Sequence, residues 1–238
     1  MPKLPKRIAA NASKIDIDKR YTLPEAAEGV KSCATAKFDE SIDLAFYLGV
    51  DPRHAEQMVR GSVSLPHGTG KDVKVIVICK SDQHIQDAKD AGAAEVGGAE
   101  LAEKISGGWT DFDALVATPD MMGQVGKLGR VLGPRGLMPS PKAGTVTADV
   151  SKAVGEIRKG KIDYRVDKNA NIHVPVGKAS FSPEQIRENA GSVIESVMKA
   201  RPSAAKGTYM KSCTLSSTMG PGFRLDINHL STDYSGKG

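Results

Sequence analysis

The side chains best suited to holding a metal or attacking a carbonyl are sparse in this 238-residue chain: five histidines (His54, His67, His84, His173, His229) and three cysteines (Cys33, Cys79, Cys213). The histidines never fall at metal-ligand spacing with one another or with cysteine, so a structural zinc site is not expected. No serine sits in a Gly-x-Ser-x-Gly elbow. His67-Gly-Thr-Gly-Lys71 has the outline of a phosphate-cradling loop but fails on three counts. Such a loop needs a glycine five residues before Gly70, where Leu65 stands, a hydroxyl after the lysine, where Asp72 stands, and a helix to follow, where the sequence reads as strand. No Gly-x-Gly-x-x-Gly is present to carry a dinucleotide. Asp111 and Asp113 flank Phe112 as an acid pair would, but carboxylates at a strand entry are more often a solvated turn. No catalytic set and no cofactor is expected. A small-molecule or nucleotide-binding enzyme built on the middle of the chain would lack residues for its chemistry.

Binding chemistry remains. Lys127–Thr147 (KLGRVLGPRGLMPSPKAGTVT) carries four basic residues, Lys127, Arg130, Arg135 and Lys142, and no acid in 21 residues. Its four glycines and three prolines exclude regular helix or strand over much of its length. A buried loop would strand its backbone polar groups, so this one should lie on the surface with its charges outward. Arg and Lys at such intervals suit a phosphate backbone; from the loop alone, a solvated Gly/Pro connection fits equally well. Charge is uneven elsewhere. Met1–Pro66 carries 10 basic against 9 acidic residues, His67–Arg158 carries 11 against 12, and Lys159–Gly238 carries 12 against 7. A basic flank beside an acidic middle points to two domains, the basic one meeting a polyanion. Lys37-Phe38 and Thr218-Met-Gly220 lie in those flanks at strand ends. There an aromatic can present its face to a base or sugar, and a glycine admits close backbone approach. Arg165, Lys168, His173 and Lys178 lie on or beside a strand pair between them in sequence. With five Phe and one Trp the chain is no base-stacking platform, and recognition through backbone and shape is expected. The modest net charge of +5 and the lack of a helix-turn-helix pattern disfavour a general DNA-binding protein.

The elements that must position these residues follow from periodicity. Thr22-Leu-Pro-Glu25 is a capping box opening a helix to about Ala36. Ser41–Leu48 alternates strictly, with Ile42, Leu44, Phe46 and Leu48 on one face of a half-buried strand. Arg53–Val59 reads as a short helix and Gly61–Leu65 as strand. Val73–Cys79 is apolar and β-branched, the mark of a strand covered on both faces. Helices at Ser81–Ala91 and Ala99–Ile105, strands at Ala94–Val96 and Asp113–Thr118, and a helix opened by Pro119 complete a βαβαβα order and a small parallel sheet. Gly123, Gly126 and Gly129 would line one face of that last helix for close backbone packing. Val150–Lys159 closes the middle as a helix. Lys161–Val166 and Asn171–Val176 read as a hairpin through Asp167-Lys-Asn169. Ser182-Pro-Glu-Gln185 caps a helix striped by Ile186, Ala190, Val193, Ile194, Val197 and Met198. Strands at Gly207–Ser217 and Phe223–Asn228 end the fold, with a loose tail expected from Ser231. The expected fold class is α/β in two domains: residues 1–67 and 160–238 as one discontinuous α+β domain, with residues 68–159 as an inserted Rossmann-like three-layer domain.

Odd, scattered cysteines argue for a reducing compartment. No stretch approaches the ~20 apolar residues of a membrane span, and Met1–Ala10 is too weakly apolar for a secretory leader. A cytoplasmic protein without membrane partners is expected.

Several stretches are distinctive together: Lys37-Phe-Asp-Glu-Ser41, Arg60-Gly-Ser-Val-Ser-Leu-Pro-His-Gly68, Leu128-Gly-Arg-Val-Leu-Gly-Pro-Arg-Gly-Leu-Met-Pro139, Pro141-Lys-Ala-Gly-Thr145, Pro175-Val-Gly-Lys-Ala-Ser-Phe181 and Ser217-Thr-Met-Gly220. With them the chain resembles, from about Lys3 to Asn228, the bacterial L-one family of large-subunit ribosomal proteins. The resemblance implies an RNA-binding discontinuous domain joined by a double hinge to the inserted one. It implies binding to a stalk of large-subunit rRNA beside other ribosomal components, help in releasing deacylated tRNA from the exit site, and repression of translation from the protein's own mRNA. Outside the ribosome a monomer is implied. Carried onto this chain, rRNA contacts fall on Lys37, Phe38, Ser41, Thr218, Met219 and Gly220, with Glu28, Asp167, Lys168 and His173 as weaker matches. Ser41 stands where a relative has Thr, and the hydroxyl is retained. Arg130, Arg135 and Lys142 are the candidates for a secondary RNA contact.

Overall fold

The computed structural model describes residues 6–234 apart from residues 13, 17, 142 and 143. The chain divides into two compact units, Met1–Gly70 with Ile162–Gly238, and Lys71–Lys161. It begins with α1 (Lys6–Ala12), α2 (Leu23–Cys33), β1 (Ser41–Leu48) and β2 (Arg60–Ser64). The second unit carries β3 (Val75–Ile78), α3 (Asp82–Asp90), β4 (Glu95–Gly97), α4 (Ala99–Ser106), β5 (Ala114–Ala117), the four-residue helices α5 (Met122–Val125) and α6 (Gly129–Leu132), and α7 (Val150–Arg158). The chain returns through β6 (Lys161–Arg165), β7 (Asn171–Lys178), α8 (Pro183–Lys199), β8 (Met210–Ser217), β9 (Gly222–Arg224) and α9 (Ile227–Tyr234).

The first unit is built on an antiparallel sheet in the order β7-β1-β8-β9. Because side chains alternate along a strand, Ile42, Leu44, Phe46 and Leu48 share the inner face with Ile172, Val174, Cys213 and Leu215, all buried. Helices α2 and α8 supply the other half of that core through Ala26, Ala27 and Val30 and through Ile186, Ala190, Val193 and Ile194. Ser182 caps α8: its hydroxyl accepts from the Gln185 N–H at 3.2 Å, and the Gln185 carboxamide accepts from the Ser182 N–H at 2.9 Å. At α2, the Glu25 carboxylate accepts from the Thr22 N–H at 3.0 Å. Gly29 lets α2 sit against Phe223, since a Cβ there would lie 2.4 Å from the ring.

The other face of this sheet is lined by small and polar residues. Asp43 lies between Pro175 and Ser216, Ala45 between His173 and Thr214, and Tyr47 between Asn171 and Ser212.

One buried amide fastens the segment that leaves this unit. Asn189, fully buried on α8, accepts from the His67 N–H at 3.0 Å and donates to the carbonyls of Gly68 (3.0 Å) and Val176 (2.8 Å). It stands among Ile186, Ala190 and Val193 on the apolar stripe, where its amide satisfies backbone groups that have no ladder partner.

The second unit has a parallel sheet in the order β4-β3-β5. All four residues of β3 are buried. Ile76 and Ile78 meet α4 and α6 on one face; Val75 and Val77 meet α3 and α7 on the other. This is the arrangement that an uninterrupted apolar strand demands.

Several expectations are corrected. Strands β6 and β7 do not form a hairpin: β6 pairs with β2, and β7 pairs with β1. The turn between them is closed instead by Asp167, whose carboxylate accepts from the N–H groups of Asn169 (2.8 Å) and Asn171 (2.7 Å) while Ala170 adopts φ +64°. The segment opened by Pro119 is a succession of single turns rather than one helix. Its glycines do not mediate packing, because a Cβ on Gly123, Gly126 or Gly129 would meet nothing within 4 Å. Met121, Val125, Leu128 and Leu132 turn inward instead. Arg53–Val59 contains one 3-10 turn, Ala55–Gln57, instead of a helix. Residues Ile227–Tyr234 are helical, with Leu230 of α9 buried, where a loose tail is expected from Ser231; residues 235–238 lie outside the described residues.

Replacing Asn189 with Leu keeps the volume but strands the groups it pairs. The change is expected to destabilise the protein by roughly 3 kcal/mol in urea denaturation; an unshifted midpoint at unchanged slope would contradict this role.

Candidate nucleic-acid interface

At the start of β1 a buried acid ties loops together. The phase of Ile42 and Leu44 carries back to Glu40, which is 1% exposed. One carboxylate oxygen accepts from the Ala36 N–H and the other from the Met219 N–H, each at 2.9 Å. The Glu40 carbonyl accepts from the Ala179 N–H at 2.8 Å. Asp39 continues the lacing: its carboxylate accepts from the Ser180 N–H at 3.0 Å and hydroxyl at 2.9 Å. The Lys31 ammonium donates to the Phe181 carbonyl at 2.7 Å. Three segments that are distant in sequence, 36–39, 178–181 and 218–220, are thereby fixed at one end of the sheet.

Thr218 closes the strand end. Its hydroxyl accepts from the Ser41 N–H at 3.0 Å and donates to the Ser41 carbonyl at 3.2 Å, and its own N–H donates to the same carbonyl at 2.9 Å. The single hydroxyl proton is thus spent inside the protein. Ser41 receives the Lys178 ammonium on its hydroxyl at 2.8 Å. At Gly220 a Cβ would lie 2.3 Å from the Ser217 hydroxyl oxygen, so the missing side chain faces the protein interior. The Ser217 hydroxyl oxygen is buried and has no hydrogen-bond partner among the described residues.

Held in this way, Phe38 is 54% exposed and Met219 45%, two of the few large apolar side chains left in solvent. Lys37 is exposed beside them and, among the described residues, is engaged in no ion pair or hydrogen bond. An unpaired ammonium next to two exposed, rigidly mounted apolar groups suits a sugar–phosphate backbone with an accessible base. Lys37, Phe38, Ser41, Thr218, Met219 and Gly220 are therefore gathered at one end. His173 lies farther along the open face, opposite Ala45. Near it, burial pushes the Asp43 carboxyl up, against the opposing pull of His173 and Lys178. Asp167 and Lys168 sit at the opposite end of β7. The amide of Asn171 above all holds the Asp167 carboxyl below its usual range, which makes Asp167 a turn-former. Glu28 is exposed on α2, and nothing among the described residues links it to the gathered end.

Nothing in its residue type marks Glu40 as buried; the two-residue phase of β1 is the signal. Tyr47, 42% exposed with the Lys211 ammonium 4.9 Å from its ring centre, was also passed over.

In the second unit the basic stretch is only partly a surface loop. It begins in a 3-10 turn (Gly126–Leu128) that runs into α6, and Leu128 and Leu132 are buried in the core. Arg130 is exposed with no partner among the described residues, whereas Arg135 donates to the Thr110 hydroxyl. Lys142 lies outside the described residues. Among the described residues no cluster of His, Cys, Asp or Glu could hold a metal, and no helix is long and apolar enough to cross a membrane.

The model of the ribosomal protein L1p/L10e family matches residues 30–221. Large ribosomal subunit protein uL1 of Clavibacter sepedonicus is 54% identical over 225 residues, which cover 94% of this chain and 98% of that protein.

Glu40→Gln leaves one acceptor where two amides need one each. Hydrogen exchange at the Ala36 or Met219 amide is expected to accelerate about tenfold or more, with the distant β3 amides unaffected. Equal protection of both amides in the variant would show that the carboxylate does not hold them.

Proposed function

The chain belongs to the ribosomal protein L1p/L10e family, and on that premise we propose that it is a non-enzymatic structural constituent of the large ribosomal subunit whose first unit binds a stalk of large-subunit rRNA. The observation that carries this reading is the end of the sheet where Lys37, Phe38 and Met219 are presented to solvent on segments fixed by Glu40. The contacts assigned are Lys37, Phe38, Met219 and the backbone at Gly220, with Ser41 and Thr218 as positioning residues. His173 and Lys168 extend the path along the open sheet face. Glu28 and Asp167, as acids, would contribute only by accepting from RNA hydroxyls or bases.

Two strands of chain connect the units, at Gly70–Lys71 and Lys161–Ile162. We assign the first unit to anchoring as a discontinuous domain, and the second to transient contact with exit-site tRNA through Arg130 and Arg135, assisting release of deacylated tRNA. Repression of the protein's own mRNA needs no further site, since an mRNA segment shaped like the rRNA stalk would compete for the same surface. These roles place the protein with the ribosome in the cytoplasm, without a cofactor, and as a monomer when free.

A salt titration against an isolated stalk rRNA fragment tests the assignment. Lys37→Ala should reduce the slope of log affinity on log salt by about one unit. Arg130→Ala with Arg135→Ala should leave both affinity and slope unchanged. A steep loss from the double change, with none from Lys37→Ala, would move the anchor to the second unit.

A further inference from the structure

A recess opens beside the gathered end, between α1 and the turn that precedes β9. It encloses about 350 Å³, within the roughly 300–1,000 Å³ range of small-ligand sites. Ile8, Ile15, Met219 and Pro221 give it apolar walls, and the charged side chains Asp16, Lys19 and Arg224 also line it. In its lining is Asn11, a carboxamide that is 4% exposed. One Asn11 N–H donates to the Cys33 carbonyl at 3.1 Å. Among the described residues the amide oxygen and the second N–H have no partner. Apart from that bond, the carboxamide keeps one donor and one acceptor available at the recess. A paired donor and acceptor on one planar group is also the chemistry that reads the edge of a nucleobase. The Arg224 guanidinium that lines the recess is exposed and engaged in no hydrogen bond or ion pair among the described residues.

We propose that this recess receives one unstacked nucleobase of the RNA bound at the Lys37–Met219 end, with the Asn11 carboxamide meeting the base edge and Met219 forming the wall shared by the two sites. The proposal rests on the RNA-binding reading above and extends it from backbone contact to readout of a single base. Ile8 and Ile15 supply an apolar surface for the flat face of the base, and Arg224 meets its phosphate. Each exposed nucleobase has a face that tolerates such contact; the carboxamide is what would discriminate among bases.

The full-length protein would be bound to a fragment of the large-subunit rRNA stalk. The complex would be probed with dimethyl sulfate and a carbodiimide, which together modify the pairing edges of all four bases. One unpaired base should be protected by the unaltered protein. Asn11→Leu should restore its reactivity and weaken binding about tenfold. Ile8→Trp fills the mouth from a side chain that is 44% exposed, so it should do the same without disturbing the fold. Protection retained in either variant overturns the pocket while leaving the RNA-binding reading intact. Failure of the unaltered protein to bind the stalk fragment overturns both.

Discussion

The presented surface depends on a carboxylate that solvent does not reach. Burying a carboxylate is expensive, and the cost is offset where hydrogen-bond donors or opposite charges replace water. Glu40 receives two backbone amides from segments about 180 residues apart in sequence, Ala36 and Met219. Such charge-assisted bonds are roughly twice as strong as neutral ones. Their consequence is geometric: neither the loop carrying Lys37-Phe38 nor the turn carrying Met219-Gly220 belongs to a strand or helix, yet each is fixed to the rigid end of β1. Phe38 and Met219 can therefore remain exposed without collapsing onto the core.

The rest of the first unit serves that end. The inner sheet face is filled by alternating apolar side chains beneath α2 and α8, while the outer face carries mostly small or polar residues with Tyr47 exposed among them. Thr218 and Gly220 take meanings different from those assigned at first sight. The hydroxyl of Thr218 registers β8 against β1, and the bare Cα of Gly220 accommodates Ser217 from inside. Both hold the turn that presents Met219 to solvent. Asn189 performs a comparable task at the point where the chain leaves the unit, using one amide to satisfy three backbone groups.

Periodicity made much of the fold legible. The strict alternation of Ser41–Leu48 matches β1 at both ends, and the apolar run around Val75–Ile78 is covered on both faces. What stayed hidden depended on partners far away in sequence. Asp167 closes a turn that local pattern equates with a hairpin, and the pairing of β6 with β2 and of β7 with β1 decides otherwise. Glycine spacing at Gly123–Gly129 has the same period whether that face meets another helix or water. Glu40 and Asn189 are polar residues in phase with apolar faces. Residue type pointed to solvent and phase pointed to the core, and phase was the better guide because buried backbone groups required a partner. The positions of Lys37, Phe38 and Met219 were readable as strand ends, but their union at one end required the β7-β1-β8 pairing.

The central claim is that RNA is held at the end of the sheet organised by Glu40. Ultraviolet crosslinking of the full-length protein to stalk rRNA, followed by mass spectrometry of the joined peptides, tests it directly. The account predicts that the dominant crosslinks fall on the peptides containing Phe38 and Met219. Dominant crosslinks within residues 71–161, with those two peptides unmodified, would contradict it.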